Sequence, residues 1–205
     1  IETSNLGNNT AISLFISKRS DFSVANAYSH WLSAGETSKM NRFLFERDSQ
    51  QYLVSHCLVR WALAHYSGLD PKDLQFKNND HGKPYLISDD SLGFNLSHSH
   101  EWAVVAIVNG KEIGVDIERV DRKHLQNNNS MTSIAKRIFH ESEYRYLQTL
   151  SGEQKIQYFT QLWTLKEVYL KAKGVGLYQD PSTFTFVQRG DIIFLADNAA
   201  TNVCV

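Results

Sequence analysis

The chain has few cysteines, almost no net charge and no long apolar run. Its two cysteines, Cys57 and Cys204, lack the spacing of a metal or redox site. We expect free thiols in a reducing compartment, with a disulfide as the alternative. The formal net charge of -1 provides no overall attraction to nucleic acid or to anionic membranes. Because no stretch approaches the roughly 20 apolar residues of a membrane span, we expect a cytoplasmic protein with neither a nucleic-acid nor a membrane partner.

The ends of the sequence support two further expectations. Residues 1–10 are polar and rich in asparagine, whereas a secretory signal is basic and then apolar, so we expect no signal peptide. The sequence begins without methionine and ends in a short apolar run, so we expect that the natural protein extends beyond it.

Common nucleotide-binding and hydrolase motifs are absent. The sequence has no G-x-x-x-x-G-K-[ST] loop, no G-x-G-x-x-G fingerprint and no G-x-S-x-G elbow. Its 205 residues, of which 42% are hydrophobic and 21% charged, have the composition of an ordinary globular protein. The length allows one large domain or two small lobes.

The apolar periodicity predicts a mixed α/β (α+β) protein. Gly68 and Gly174 are predicted to stop two long helices, and Asn109-Gly110 is a hairpin signal between apolar runs. The predicted helices cover residues 22–32, 38–66, 133–150 (as one helix or two) and 153–173. The predicted strands cover residues 11–16, 74–76, 92–96, 103–108, 112–118, 184–186 and 191–195.

A weak internal repeat suggests two lobes. In each copy, a predicted long helix is followed by an Asp-Pro turn and a short strand. The four residues of the first copy recur 110 residues later in the second: Asp70, Pro71, Leu74 and Phe76 as Asp180, Pro181, Phe184 and Phe186. The alternative is a chance match, since Asp-Pro is common in turns. The repeat predicts similar α/β lobes at residues 1–108 and 109–205, with a ligand site between them.

Residues 113–118 (Ile-Gly-Val-Asp-Ile-Glu) place two carboxylates in an apolar run. Residues i and i+2 of a strand share a face, so Asp116 and Glu118 are predicted to point the same way. Paired acids on one face repel each other and need a cation or open water. The alternative to a metal site here is a structural ion pair with Arg119 or Arg122.

The predicted helix at residues 153–173 carries Trp163, Glu167 and Lys171 on one face. The aromatic side chain favours a half-buried face, whereas an ordinary surface ion pair is the alternative. Together with Asp116 and Glu118, Glu167 makes a set of three carboxylates. Such a set suits Mg²⁺, and a nearby lysine suits phosphate. This combination is typical of phosphoryl transfer.

Further polar candidates lie after a strand, in a turn and near a helix start. Ser97 and His98 follow the strand at 92–96 and are placed to bind phosphate with backbone amides. A zinc site is disfavoured there because no other His or Cys pair has matching spacing. Lys83 lies in the turn Gly82-Lys83-Pro84, and Lys39 lies near a helix start. Taken alone, both lysines read equally well as ordinary surface charges.

In this order and spacing, the segments resemble the Sfp-type 4'-phosphopantetheinyl transferases. The resemblance covers residues 42–177 and has five parts that are specific in combination. They are Gly82-Lys83-Pro84, residues 94–99, residues 113–118, residues 139–143, and Trp163-x-x-Lys166-Glu167-x-x-x-Lys171 ending in Gly174-x-Gly176-Leu177. The resemblance implies the 4'-phosphopantetheinyl transferase fold, in which two similar α/β lobes form a pseudo-twofold arrangement.

The resemblance also implies an activity. Such an enzyme transfers the 4'-phosphopantetheine arm of coenzyme A to a serine of an apo acyl or peptidyl carrier protein, releasing 3',5'-ADP. By resemblance, Asp116, Glu118 and Glu167 would bind Mg²⁺, and Glu167 or Glu143 would take the serine proton. Lys171 would contact the pyrophosphate. The nucleotide end of coenzyme A would be held by Lys39, Lys83, Ser97 and His98. We expect a monomer.

Three positions depart from the family's pattern. Val168 follows Lys166-Glu167 where the family has Ala or Ser. Tyr52 replaces a small hydroxyl residue of some members, and Glu36 replaces a second basic residue upstream of Lys39. Two other functions stay open, a non-catalytic carrier-protein-binding module of the same fold and a metal-dependent nucleotide hydrolase. An acidic carrier is predicted to dock on basic residues that flank the site, unless these are solvated loop charges. They are Arg119, Arg122, Lys123, Lys136 and Arg137.

Overall fold

The computed structural model describes residues 3–6, 10–110, 112–120, 128–189 and 192–196. The chain divides into two compact units. The first unit comprises residues 1–117 with 171–174, and the second comprises residues 118–170 with 175–205. The lobe boundary predicted after residue 108 lies within the first of these ranges. The mixed α/β class predicted from the sequence is confirmed.

The first unit is built on an antiparallel sheet of four strands in the order β1-β2-β6-β5. A separate two-stranded sheet pairs β3 with β4. The strands are β1 (Thr3–Leu6), β2 (Thr10–Lys18), β3 (Phe76–Asn78), β4 (Pro84–Leu86), β5 (Leu92–Ser99) and β6 (Trp102–Asn109). The α-helices are α1 (Phe22–Ala27), α2 (Ala34–Met40) and α3 (Glu46–Ser67).

The long helix α3 packs its apolar side against the sheet. It ends at Gly68, which adopts a left-handed conformation with φ of 70°, as the sequence predicts. The single helix predicted at 38–66 is wrong at its start, because α2 and α3 are separate. A capping box between Ser33 and Glu36 starts α2 before the predicted residue. The core under α3 consists of Phe15, Val59, Ala62, Leu63, Leu74, Leu86, Leu92, Phe94, Val105 and Ile107.

The hairpin of this sheet differs from the prediction. The turn that joins β5 to β6 is His100-Glu101, and His100 has a positive φ of 55°. Asn109 ends β6, and the Gly110 amide donates to the Ser91 carbonyl at 2.6 Å. The described residues 112–120 form neither strand nor helix, so the strand predicted at 112–118 is wrong.

The second unit is mainly helical. Its elements are α4 (Asn128–Ile138), α5 (Glu141–Thr149), α6 (Gly152–Lys173), β7 (Thr185–Arg189) and β8 (Ile192–Ala196). Residues 133–150 thus divide into two helices, the second of the predicted alternatives. Residues 171–173 of α6 are counted with the first unit. None of the helices in the described ranges is long and apolar enough to cross a membrane.

Both predicted Asp-Pro turns exist, and both are short 3-10 turns capped by aspartate. The Asp70 carboxylate accepts from the Lys72 amide at 3.1 Å, and the Asp180 carboxylate accepts from the Ser182 amide at 2.9 Å. Such a local hydrogen bond is the reason that Asp is favoured at this position. The internal repeat therefore corresponds to the same local structure in each unit.

A buried ion pair fixes the first turn. Arg60 is 1% exposed and donates through Nη1 to the carbonyls of Pro71 and Leu74, at 2.7 and 3.1 Å. Its Nη2 donates to the Glu36 carboxylate at 2.6 Å. That carboxylate also accepts from the Ser33 amide at 2.8 Å, so one acid caps α2 and neutralises the buried arginine.

The second unit repeats this device with a lysine. Lys166 is 2% exposed, and its Nζ donates to the carbonyls of Pro181 and Phe184, each at 2.8 Å. Its charge is balanced by Glu143 at 2.9 Å, and Glu143 accepts from the His140 amide at the start of α5, also at 2.9 Å. Each unit thus holds its Asp-Pro turn with a buried cation whose partner acid caps a helix.

We expect Lys166→Met to lower the free energy of unfolding by about 3–5 kcal/mol, because it leaves the Glu143 carboxylate buried and unpaired. Urea denaturation measures the change. The double variant Glu143→Gln/Lys166→Met should recover part of the loss, since no buried charge remains. Lys136→Met, at an exposed lysine of α4, is the control and should change little. A near-normal stability of the single variant would contradict a structural role for this pair.

Candidate functional site

Residues 113–117 lie beside the edge strand β5 and are held there by side chains. The Val115 amide donates to Asn95 Oδ1 at 2.9 Å, and the Ile117 amide contacts Ser97 Oγ at 3.4 Å. Asn95 and Ser97 are both buried. Because side-chain oxygens accept from these amides, this segment does not join the sheet as a strand. The same two side chains thereby place the residue between the two amides, Asp116.

Asp116 is the centre of a buried polar cluster in the first unit. Its side chain is only 3% exposed. Oδ1 accepts from Lys171 Nζ at 2.6 Å and from Ser97 Oγ at 2.8 Å, and Lys171 Nζ also lies 3.1 Å from Ser97 Oγ. Oδ2 is buried and has no hydrogen-bond partner among the described residues. Lys171 is therefore the cation that offsets the buried aspartate charge.

The free carboxylate oxygen of Asp116 suits a cation. A buried polar atom without a partner costs about 1–3 kcal/mol, and more when it is charged. A hard divalent ion such as Mg²⁺ takes carboxylate oxygens as ligands and would satisfy it. Asp116 thus fits the metal-ligand role that the sequence predicts.

The other two predicted ligands lie in the second unit. Glu118 is exposed, and its Oε1 accepts from Trp163 Nε1 at 3.1 Å. Glu167 is half-buried on α6. Asp116 and Glu118 do not share a strand face, since their segment is not a strand. Across the described part of the chain, no three His, Cys, Asp or Glu side chains are grouped to hold a metal ion.

Glu143, one of the two candidate bases, is held by other groups of the protein. It is 5% exposed, and both of its oxygens have protein donors. Oε2 binds Lys166 Nζ and the His140 amide, and Oε1 accepts from the Phe186 amide at 3.2 Å. Proton transfer from a substrate would require breaking this buried network. In this structure both Glu143 oxygens are therefore engaged within the second unit, and Glu143 remains only a predicted base beside Glu167.

Lys83 binds backbone carbonyls in this structure. Its Nζ donates to Ile113 O at 3.0 Å and to Ala172 O at 2.9 Å. Burial lowers the pKa of Lys83, and the nearby Glu112 carboxylate opposes that shift. Two of the three ammonium protons are engaged, so at most one is left for a nucleotide phosphate.

His98 is exposed at the end of β5. Its pKa lies below the ordinary value for histidine, first because neighbouring groups remove part of its hydration. The positive charge of Lys171 and the nearby His56 add to this effect. The imidazole is therefore neutral near pH 7 and can donate or accept a hydrogen bond without carrying charge.

Lys39 lines a cavity of about 720 Å³ in the first unit. On the same wall, the rings of Tyr52 and His56 stack with centroids 3.9 Å apart, and Lys39 Nζ lies 5.6 Å from the Tyr52 centroid. Burial, with a contribution from Glu36, raises the pKa of Tyr52 to about 12. The cavity therefore offers aromatic faces and a lysine, which suit a base and an anionic group.

Glu36 faces the same cavity, but other groups already balance its charge. His56 Nδ1 lies 3.0 Å from Oε1, and Arg60 binds Oε2. Burial opposes ionisation of Glu36, but the hydrogen bonds from His56, Arg60 and Ser33 outweigh it and hold its pKa well below the ordinary value. Glu36, which departs from the family pattern, is thus paired with His56 and Arg60 of the same chain.

Asn95 and His56 contribute to the site although no role was predicted for them from the sequence. Asn95 had a recognisable signal, because Asn95 and Ser97 are polar residues two positions apart that alternate with the apolar Phe94 and Leu96, and so share one face. His56 had none, since a single histidine in a long helix is usually an ordinary surface residue.

We expect Glu36 to stabilise the protein only where it is ionised. Its folded-state pKa is lowered, so its contribution is present above the unfolded pKa and is lost as the pH falls through the folded one. The difference in unfolding free energy between wild type and Glu36→Gln should be largest above about pH 5 and shrink below about pH 4. Urea titrations from pH 3.5 to 7 measure it, with Glu46→Gln as an exposed control. A difference independent of pH would contradict the ion pair.

Family models match both parts of the chain. Residues 17–109 match a model described as 4'-phosphopantetheinyl transferase, N-terminal. Residues 112–203 match the 4'-phosphopantetheinyl transferase superfamily.

Curated relatives carry the same description. A 4'-phosphopantetheinyl transferase of Bacillus subtilis is 36% identical over 78% of this chain and 68% of its own length. The 4'-phosphopantetheinyl transferase gsp of Aneurinibacillus migulanus is 34% identical over 80% and 65%, and HetI of Nostoc is 36% identical over 71% and 61%. This chain therefore spans about two thirds of the length of the curated relatives it matches.

Among solved structures, the chain has a partial likeness to a holo-(acyl-carrier-protein) synthase from Bacillus anthracis in complex with CoA (3',5'-ADP). The match is 19% identical, covers 48% of this chain and 93% of the other, and has a TM-score of 0.39. At this TM-score the likeness supports no conclusion about the fold or the site.

Proposed function

Because the chain belongs to the 4'-phosphopantetheinyl transferase superfamily, we propose that it transfers the 4'-phosphopantetheine arm of coenzyme A to a serine of an apo acyl or peptidyl carrier protein. The other product is 3',5'-ADP. The observation that carries the proposal is the buried cluster of Asp116, Ser97 and Lys171, in which one carboxylate oxygen has no partner among the described residues. It offers a metal ligand and a lysine at one point.

The proposed metal ligands are Asp116, Glu118 and Glu167. Asp116 contributes its buried Oδ2, and the other two carboxylates are at least partly accessible to solvent. Glu167 precedes Lys171 by four residues in α6. When bound, Mg²⁺ would neutralise charge on the pyrophosphate oxygens.

Lys171 is the proposed pyrophosphate contact. Its side chain is 28% exposed while its Nζ is bonded to Asp116, so it reaches both the buried cluster and solvent. A lysine in this position can exchange its aspartate contact for an oxygen of the substrate without moving its backbone. It would then offset charge on the leaving 3',5'-ADP.

Glu167 is the proposed general base. A serine hydroxyl must lose a proton as it attacks phosphorus, and a carboxylate takes it directly or through one water. Glu167 is preferred to Glu143, the other candidate base, because both Glu143 oxygens already accept from Lys166 and two amides.

The nucleotide end of coenzyme A is proposed to lie along the first unit. Ser97 and the neutral His98 would donate hydrogen bonds to phosphate, and Lys39 would supply charge at the wall of the 720 Å³ cavity. Tyr52 and His56 would offer their stacked faces to the base. We further propose that the protein acts as a monomer in the cytoplasm.

A direct assay tests the proposal. Coenzyme A, Mg²⁺ and an apo carrier protein are incubated with the chain, and the carrier is weighed by mass spectrometry. We expect a gain of one phosphopantetheine. No change in the carrier or in coenzyme A would support a non-catalytic binding module. Hydrolysis of coenzyme A without a carrier would support a nucleotide hydrolase.

Removing the charge of Asp116 or of Glu167, two of the three proposed metal ligands, should nearly stop transfer. We expect Asp116→Asn and Glu167→Gln each to lower kcat at least about 100-fold, since each removes a charged oxygen from the metal or the base from the serine. Glu153→Gln, at an exposed acid in the first turn of α6, is the control and should retain activity. Normal turnover of either variant at saturating Mg²⁺ would remove that residue from the proposal.

Carrier docking is proposed to use basic residues. Arg119, Lys136 and Arg137 are exposed, the last two in the final turn of α4 rather than at the helix start as predicted. Arg122 and Lys123 lie outside the described residues. Reversing Arg122, Lys123, Lys136 and Arg137 to Glu should raise the KM for an acidic carrier several-fold at low salt and leave the KM for coenzyme A unchanged. An unchanged carrier KM would place the docking surface elsewhere.

A further inference from the structure

The turn between β3 and β4 is stiffened by Asn79. Its backbone amide donates to the Lys83 carbonyl at 2.9 Å. Its side-chain Oδ1 accepts from the backbone amides of His81 and Lys83, at 3.0 and 2.9 Å. Gly82 supplies the positive φ of 91° that this tight turn requires. The backbone of Lys83 is therefore held on both sides, and its side chain leaves the turn in a defined direction.

The Lys83 ammonium joins two chain segments that carry the functional pair. It donates to Ile113 O, three residues before Asp116, and to Ala172 O, one residue after Lys171. Asp116 and Lys171 are bonded to each other at 2.6 Å. One partly buried cation thus fixes the backbone next to both members of the pair.

Gly174 completes the arrangement at the end of α6. Asn79 Nδ2 donates to Gly174 O at 2.9 Å, and Gly174 has a φ of 65°. A Cβ on Gly174 would lie 2.8 Å from Asn79 Nδ2 and 2.9 Å from Lys83 Cδ, both closer than normal contacts. Only glycine leaves room for the lysine to pass the helix end. We name Asn79, Lys83 and Gly174 the lysine latch.

We propose that Lys83, supported by Asn79 and Gly174, is a positioning residue that sets the geometry of Asp116 and Lys171, in place of the predicted role as a grip for the nucleotide of coenzyme A. The kinetic part of this inference rests on the proposed function. The geometric part concerns the folded protein alone and can be measured without turnover.

The two roles predict opposite kinetics. A nucleotide grip acts equally on ground and transition states, so its loss raises the KM for coenzyme A and spares kcat. A positioning residue acts through Asp116 and Lys171. Its loss therefore lowers kcat and the affinity for Mg²⁺, while coenzyme A still binds. Loss of supporting hydrogen bonds around metal ligands typically costs about 10- to 100-fold in metal affinity or activity.

The test compares Lys83→Met, Lys83→Arg and Gly174→Ala with Lys77→Met, an exposed lysine on β3, as the control. Lys83→Met should lower kcat about 10- to 100-fold and raise the half-saturating Mg²⁺, with the KM for coenzyme A changed less than about twofold. Lys83→Arg keeps the donors and should recover part of the kcat. Gly174→Ala retains Lys83 and should still reproduce the loss. A raised KM for coenzyme A with normal kcat in Lys83→Met would overturn the proposal.

Hydrogen exchange separates this inference from the proposed function. The amides of Val115 and Ile117, which contact Asn95 and Ser97, should exchange faster in Lys83→Met and Gly174→Ala, whereas the β6 amides should not. This holds whether or not the wild type modifies a carrier. If wild type is inactive but the two amides lose protection, the function fails and the latch stands. Unchanged protection in both variants would overturn the latch, whatever the activity.

Discussion

Buried or partly buried cations that donate to pairs of backbone carbonyls hold this protein's irregular segments in place. Arg60, Lys166 and Lys83 each bind two carbonyls that no regular helix or strand satisfies. A buried carbonyl without a donor is costly, and a charged donor gives a stronger bond than a neutral one. Arg60 and Lys166 each have a buried or partly buried acid as counter-charge, and that acid also caps a helix. Turn, helix start and ion pair are therefore stabilised together.

The same constraint shapes the proposed active site. Residues 113–117 have no strand partner, so Asn95, Ser97 and Lys83 supply the hydrogen bonds that a sheet would otherwise give. Because this segment is not a strand, the Asp116 side chain is buried beside Lys171, which balances its charge. One of its oxygens has no hydrogen-bond partner among the described residues. Stability here is maintained with a lysine that a phosphate-bearing substrate could attract away.

The two structural ion pairs also explain the weak repeat in the sequence. The Asp-Pro turns recur because both are capped by their own aspartate and held by a buried cation. The cation–acid pairs differ between the units, Arg60 with Glu36 in one and Lys166 with Glu143 in the other. The internal repeat of the sequence therefore shows the two turns but not the ion pairs that hold them. The pairing of Glu143 with Lys166 was not visible in the sequence for this reason. From the sequence alone, Glu143 in the first turn of α5 looks accessible to a substrate, because its partner Lys166 lies on another helix.

The sequence by itself determined the features that depend on near neighbours: the span of α6, the glycine stops at Gly68 and Gly174, and the two Asp-Pro turns. The sequence also identified the family, because the order and spacing of the motifs can be read without a structure. Only the tertiary structure decided that residues 112–118 are not a strand, that Glu143 pairs with Lys166 and that Lys83 binds carbonyls. These outcomes depend on partners up to 89 residues away in the chain, such as Ala172 for Lys83. Local periodicity carries no information about which distant donor or charge will satisfy a buried group.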